Sequence, residues 1–600
     1  MRHSYLALGL LVLLFPAMSR AADDRDAPEQ LLSANSQIYI RWDGIESHRA
    51  AYDKTAIGRM MKGDTGVFVT GVFGQLQESI GSLLTVNQLL TGTPPDKLQQ
   101  LQKHAAESGK LLPLLAEHGF ILAVEARSIE QPQGQITIIL PDAGSKSGPV
   151  LGALHLIAGL NKLELKEIKV GDTAVSTIEI GPIHVTFWVQ GKHAVLAIGT
   201  DDAEKTVKTM TSGDHPRLTG TELYKRVRGY DKFETSARAY VDVSAITKLA
   251  ATRGKEVESL LNELGVDNLK SIVFYSGFEG TAERSIVELE LPGERKGLAT
   301  LLAGKPFKLG DVPPMPPDVS SWSMTNLDAA KVYDVLVPAA EHIAAMLAPD
   351  GGENVKGFAK KIDEFLGIDL RKDLLGSLDN QLVQYTSPSE GPINLGQTYL
   401  LKVKDQKKLE EALEQAIKGL SKLTNTDVKN KKRTYKGVEV HEIHFGQQSF
   451  PVVPTYAIHD GWLVIGYYPP AVHGYIARAK KEMGVWKPNA QAEAVFKQMP
   501  QEFISVSYSD PRPSIRTILS IAPIIGATIN SFSPEFNFDI GNLPNSQEVT
   551  RHLFPNISVT TDDGKVLRVE TRASLALPIE LTGVDTYAIV GLLSIFRFAF

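Results

Sequence analysis

The chain has no cysteine. That excludes disulfides, thiolate metal sites, a cysteine nucleophile and a lipid-modified N-terminal cysteine, so stability has to come from packing. It has no basic surplus either: the formal net charge is −6. Nucleic acid asks for a basic face and is not an expected partner. Catalytic fingerprints are missing as well. There is no G-x-S-x-G elbow and no G-x-G-x-x-G after a strand. Gly144-Ser145-Lys146-Ser147-Gly148 lacks the glycine directly before lysine that a phosphate loop needs, and reads as a turn. His441-Glu442-x-His444 has its histidines three apart on an alternating strand, where they face opposite sides. A zinc-protease helix needs them four apart. Asp562-Asp563-Gly564 is a fragment of a calcium loop and reads as a hairpin turn. No metal and no cofactor is expected, and the expected reading is non-catalytic. Finally, no apolar run is long enough to span a bilayer. Ala588–Phe600 as a helix reaches roughly 20 Å, against roughly 30 Å of hydrocarbon.

What is present is a large and ordinary globular composition. Six hundred residues exceed one hydrophobic core, and 43% apolar with 22% charged residues argues against extensive disorder. Met1–Ala22 has a short basic start, an apolar run over Leu6–Phe15 and the small-x-small site Ser19-Arg20-Ala21. This predicts a cleaved signal peptide and an exported protein of the periplasm or cell envelope.

The middle of the chain is marked by Asp311–Asp318, DVPPMPPD. Its prolines fix φ and remove backbone donors, so it reads as a stiff linker over 306–318. The sequence before it returns, loosely, after it. FILAVEA (120–126) and QITIILPD (135–142) answer QLVQYTS (381–387) and QTYLLKVKD (397–405). The hairpin TFWVQGKHAVLAIG (186–199) answers TYAIHDGWLVIG (455–466), with Gly199 expected to match Gly466 and Trp462 to face the core beside Val464. SARAYVD (236–242) answers ISVSYSD (504–510), with Tyr240 matched to Tyr508. The closing hairpins 270–292 and 555–578 carry Gly280 and Gly564, with Arg284 and Arg568 beyond them. Strands that form hairpins yet are separated by helices predict an α+β fold with largely antiparallel sheets. The expected organisation is two similar lobes from an internal duplication, 34–305 and 319–580, followed by an apolar tail over 581–600. The run Lys429–Lys436 reads as a solvated turn, and the repeated Tyr-x-Asp as a duplicated structural hydrogen bond.

The stretch LPNSQEVTRHLFPNISVTTDDGKVLRVETRASLALP (543–578), together with DLLGSLDNQLVQYTSPSEG (373–391), resembles a family of large secreted planctomycete proteins without an assigned function. The resemblance covers most of the mature chain. It implies an envelope location and brings no catalytic motif.

Two segments have no counterpart in the other half. One is a polar loop, 531–547. The other is GVFVTGVFGQLQESIGSLLTVNQLL (66–90), where Phe68, Val72, Leu76, Ile80 and Leu83 fall at helical spacing and form an apolar stripe that needs cover. This stripe is the candidate binding surface. Gly63, Gly66, Gly71 and Gly74 at its start predict a loosely held beginning. The expected function is binding or scaffolding through an envelope protein or apolar ligand, with the tail making peripheral membrane contact. The alternative is an envelope enzyme with a site in the cleft between lobes.

Overall fold

The computed structural model describes residues 27–72, 74, 94–130, 133–302, 304–348, 350–391, 395–424, 426–446, 452–532 and 543–575. The signal segment 1–22, the tail 581–600, most of the loop 531–547, and Leu76, Ile80 and Leu83 lie outside them.

The alternating stretches become strands. The first half supplies β1 (Ile38–Trp42), β2 (Phe120–Ser128), β3 (Gln133–Leu140), β4 (Leu165–Val170), β5 (Thr173–Ile180), β6 (Ile183–Gln190), β7 (His193–Gly199), β8 (Glu234–Asp242), β9 (Ser271–Glu279) and β10 (Ala282–Glu290). The second supplies β11 (Ser321–Asn326), β12 (Leu378–Thr386), β13 (Gln397–Val403), β14 (Val428–Tyr435), β15 (Val438–Phe445), β16 (Thr455–His459), β17 (Trp462–Gly466), β18 (Ser505–Ser509), β19 (Asn556–Asp562) and β20 (Val566–Ala573). Every ladder is antiparallel, and with the many helices between strands this is an α+β fold. In the first half the strands lie side by side as β4-β5-β6-β7-β3-β2-β1-β8-β9-β10. In the second they lie as β14-β15-β16-β17-β13-β12-β11-β18-β19-β20. The order of pairings is the same in both.

The halves do not form separate sheets. β10 pairs with β20, and the whole is one 20-stranded sheet. That junction reads the same from either side. Arg284 stands opposite Arg572 and Glu288 opposite Arg568, so exchanging Arg284 with Arg568 and Glu288 with Arg572 restores the register. Two arginines face to face would repel. Here glutamates separate them. Glu570 Oε1 lies 2.9 Å from Arg284 Nη2 and 3.7 Å from Arg572 Nε. Glu279 holds both guanidiniums, reaching Arg284 at 3.0 Å. Glu288 bridges Arg568 at 2.6 Å and Arg226 at 2.8 Å, and Glu290 takes Arg226 at 3.0 Å.

Register also tests the matched residues. Tyr240 pairs with Tyr39 and Tyr508 with Trp322, the same place in the two ladders. Gly199 and Gly466 are not in the same place. The tight turns set His193 opposite Gln190 and Trp462 opposite His459. Counted from there, Ala197 rather than Gly199 answers Gly466. Ala197 sits between Thr186 and Thr137, and Gly466 between Thr455 and Thr398. β7 simply runs longer than β17, and the shared terminal glycine misaligns the two sequences. The turn Asp460-Gly461 has positive φ at both residues, the backbone that a two-residue hairpin needs.

Both faces of the sheet carry helices. In the first half, α1 (Ala56–Met61) follows β1, and α2 (Pro95–Ser108) packs on α3 (Gly148–Asn161). Val150, Leu154 and Ala158 of α3 cover Trp42, Ile178 and Phe187. On the opposite face, α4 (Ala203–Thr211) and α5 (Glu222–Arg228) cover Tyr39, Trp188, Tyr240 and Tyr275. In the second half, α6 (Ala329–Leu347) and α7 (Gly351–Leu366) follow β11 and pack on each other. α8 (Pro469–Ala479) and α9 (Ala490–Phe496) enclose Trp322, Tyr385, Val464 and Trp462, which is buried as its alternation with Val464 predicts.

The proline-rich stretch does not behave as a linker. Met315, Phe307 and Val319 are buried in the second half's core. Arg478, buried on α8, donates from Nε to the Pro314 carbonyl at 3.3 Å and pairs with Glu390 at 2.8 Å. Trp486 N donates to the Met315 carbonyl at 2.9 Å. Lacking amide donors, the prolines cannot join a ladder, but their carbonyls still accept, and that fastens the segment to the fold. The basic run is likewise not a turn. Lys429, Lys431, Lys432 and Arg433 lie exposed on β14, at one end of the sheet among the described residues. Charge on an edge strand deters further strand addition.

Candidate docking surface

α1 starts from Thr55, whose Oγ1 accepts from Gly58 N at 3.0 Å and caps the helix. Met60 packs against a small cluster of buried residues, Ala56, Ala282, Leu553 and Phe554. The chain turns at Lys62-Gly63, and residues 64–72 are helical. Thr65 and Gly66 are buried, and a Cβ at Gly66 would stand 1.9 Å from the Met61 carbonyl oxygen, so only glycine fits. Gly71 and Gly74 face open space. Phe68 and Val72, four apart on one face, are half-buried, while Val67 and Val69 point to water, Val67 at 74% exposure. The described part of the predicted stripe is therefore turned partly inward, and the exposed apolar residues are its neighbours.

A second helix, α10 (Pro511–Phe532), leaves the same cluster, on which Ile515 packs. Helices that are apolar all round are normally buried. Here Ile515, Leu519 and Ala522 are half-buried. Ile518, Ile521, Ile524 and Ile525 are 58%, 42%, 68% and 49% exposed. Sequence reading did not single these residues out. Their signal was legible: residues 517–532 carry no charge, and 518, 521 and 525 repeat at helical spacing.

The third member is the end of β20. Leu575 packs on the same cluster. Ser574 N donates to Asn556 Oδ1 at 2.9 Å and its Oγ to the Phe554 carbonyl at 2.6 Å. From there the sequence continues towards the apolar 588–600. Met60 before helix 64–72, Ile515 of α10 and Leu575 thus meet at one spot, although they are hundreds of residues apart in sequence.

The charges around this spot are uneven. Lys62 pairs with Asp53 at 2.8 Å and Arg551 with Glu548 at 2.5 Å. Arg512 is held by Asp510 at 2.6 Å, which pushes its pKa up. Arg59 and Arg516 are exposed and, among the described residues, in no ion pair; Arg516 Nε reaches only Thr550 Oγ1 at 3.3 Å. Burial, then the nearby Arg551 and Arg59, hold the His552 imidazole below its ordinary pKa.

The other singled-out motifs have structural roles. His441 stacks on Tyr456 with centroids 4.4 Å apart, and His444 lies beside Glu442. Among the described residues no group of histidines and carboxylates could hold a metal ion. Asp242 caps the helix after β8, accepting from Ala245 N at 2.9 Å, and Asp510 binds Arg512; the repeated tyrosines share no site. Ser147 closes the Gly144–Gly148 turn through the Gly144 carbonyl. Asp562 and Asp563 accept from Gly564, Lys565 and Val566 in a hairpin turn. Where the alternative reading has a cleft between halves, the sheet runs on from β10 to β20. The carboxylates that converge there, Glu279, Glu288, Glu290 and Glu570, are each bound to an arginine. Among the described residues no helix is long and apolar enough to cross a membrane.

No family model matches the chain, and no curated protein matches it. Among solved structures, crystal form III of TP0453 is similar at 10% identity and a TM-score of 0.23, over 46% of this chain and 83% of that one. Crystal form I is similar at 8% identity and 0.23, over 46% and 82%. Likeness at that score carries nothing for fold or function.

Proposed function

We propose that this is an exported, non-catalytic protein of the cell envelope that works by docking an apolar partner at the spot where Met60, Ile515 and Leu575 meet, at the roots of helix 64–72 and α10. The single observation that carries the reading is the packing of Met60, Ile515 and Leu575 on one cluster. It roots two helices that carry exposed aliphatic side chains on one cluster, and apolar exposure of that kind marks interaction sites. Export is supported by the pattern of Met1–Ala22, and an envelope location by the resemblance to secreted planctomycete proteins.

Deleting residues 67–90 tests the reading. The cut begins after Thr65 and Gly66 because both are buried. The shortened protein is expected to keep its circular dichroism and cooperative melting while losing a large part of its binding of an apolar dye such as anilinonaphthalene sulfonate. Unfolding or insolubility would mean the segment belongs to the core, and the reading would fail.

A further inference from the structure

We infer that the partner at this surface is an anionic lipid surface, with α10 lying in its interface. The inference rests on the docking reading above and names the partner class. It is carried by what α10 offers chemically. Beyond Arg516 the helix has no charge to desolvate. The hydroxyls beyond Arg516 are spent on the helix's own backbone: Thr517 Oγ1 donates to the Pro513 carbonyl at 3.1 Å, Ser520 to Thr517 at 2.7 Å, Thr528 to Ile524 at 2.8 Å and Ser531 to Thr528 at 2.7 Å. A protein partner is recognised through side-chain hydrogen bonds and aromatic or arginine anchors. Among the described residues, the outward face of α10 beyond Arg516 presents branched aliphatic carbon with its hydroxyls already satisfied, as hydrocarbon demands of what enters it.

Depth and charge agree. Pro523 inside α10 has no N–H for the Leu519 carbonyl. One acceptor is therefore left over, which suits the hydrated interface and not the bilayer centre. With 22 residues, α10 is about 33 Å long, enough to lie along a surface. At its base, and at the base of helix 64–72, stand Arg516 and Arg59 without carboxylate partners among the described residues. Basic residues beside an interfacial helix attract anionic headgroups. The neighbouring Asp64 lies in the first turn of helix 64–72, where the helix dipole favours it.

Flotation of the full mature chain with vesicles tests this. With phosphatidylglycerol–phosphatidylcholine vesicles at low salt most of the protein is expected to float, and with pure phosphatidylcholine at least tenfold less. Ile521→Asp with Ile524→Asp, both exposed positions, should abolish flotation with the melting temperature unchanged. Arg59→Glu with Arg516→Glu should weaken it and flatten its salt dependence. Ile525→Trp should shift its emission to the blue on anionic vesicles. Flotation that survives the aspartates, or equal flotation on both lipids, would overturn the inference. So would a dimer in sedimentation that the aspartates dissolve, because a second copy would then be the cover. A protein that never floats, yet loses dye binding when 67–90 are deleted, would sink the lipid assignment and leave the docking reading standing. Flotation with dye binding unchanged by that deletion would do the reverse.

Discussion

Replacing Glu570 with leucine is expected to cost about 3–5 kcal/mol in urea denaturation at neutral pH, the usual penalty for breaking a buried ion pair. Glu570 is buried between Arg284 and Arg572, and it faces Ile286 across the β10–β20 ladder, so leucine fits sterically. The loss is electrostatic. Two guanidiniums, directly opposite each other, would be left with Glu279 as their one shared carboxylate among the described residues, and the neutral Gln498 on Arg572 offsets no charge. The companion variant decides whether this is the cause. Glu570→Leu with Arg572→Met removes one charge of each sign and should recover most of the loss, because replacing a whole buried pair by apolar groups is often close to neutral. A single-variant cost under about 1 kcal/mol, the range of exposed pairs, would mean that water reaches the junction and the halves are held by backbone pairing alone.

Trp462→Ala should cost a similar amount, about 3–5 kcal/mol. Trp462 is 5% exposed within the largest core of the second half, with Lys402 Nζ 4.7 Å above its ring. The equivalent ladder place in the first half holds His193, and there the tryptophan stands at Trp188, where the second half has Ala457. Each half therefore fills its hairpin with one indole, placed on opposite strands. Trp462→His with Ala457→Trp imposes the first half's arrangement on the second and should restore part of what Trp462→Ala loses. A double variant less stable than Trp462→Ala would show that the ladder place is shared but the packing around it is not. A loss from Trp462→Ala within the few tenths of a kcal/mol typical of surface positions would mean that the strand faces the other way.

How much of this was legible in the sequence varies by element. Most strands were, because period-two alternation states directly which side chains meet the core. Trp462 beside Val464 is an example. β14 was not, because its run of charges hid the alternation. The hairpin turns were legible too, since Asp460-Gly461 and Asp562-Asp563-Gly564 carry their geometry in their residue types. Gly199 and Gly466 misled because composition cannot count a ladder: two strands of unequal length both end in glycine, and only the register from the turn shows the offset. Asp311–Asp318 misled for a different reason. Proline content says what a segment cannot donate, but it is silent on what its carbonyls and a buried methionine can reach.

Sequence by itself determined the α+β class, the position of most strands but not of β14, the lack of cysteine chemistry and the suspicion that apolar segments near 66–90 and at the C-terminus needed a partner. Those follow from local periodicity and composition, which each residue carries with it. Only the tertiary structure decided that the two halves share one sheet, that arginines and glutamates pair across its β10–β20 junction, and that Met60, Ile515 and Leu575 meet on one cluster. Such meetings depend on which strand edges pair across long stretches of chain. The free energy of that pairing is spread over backbone hydrogen bonds and buried area that no single stretch encodes.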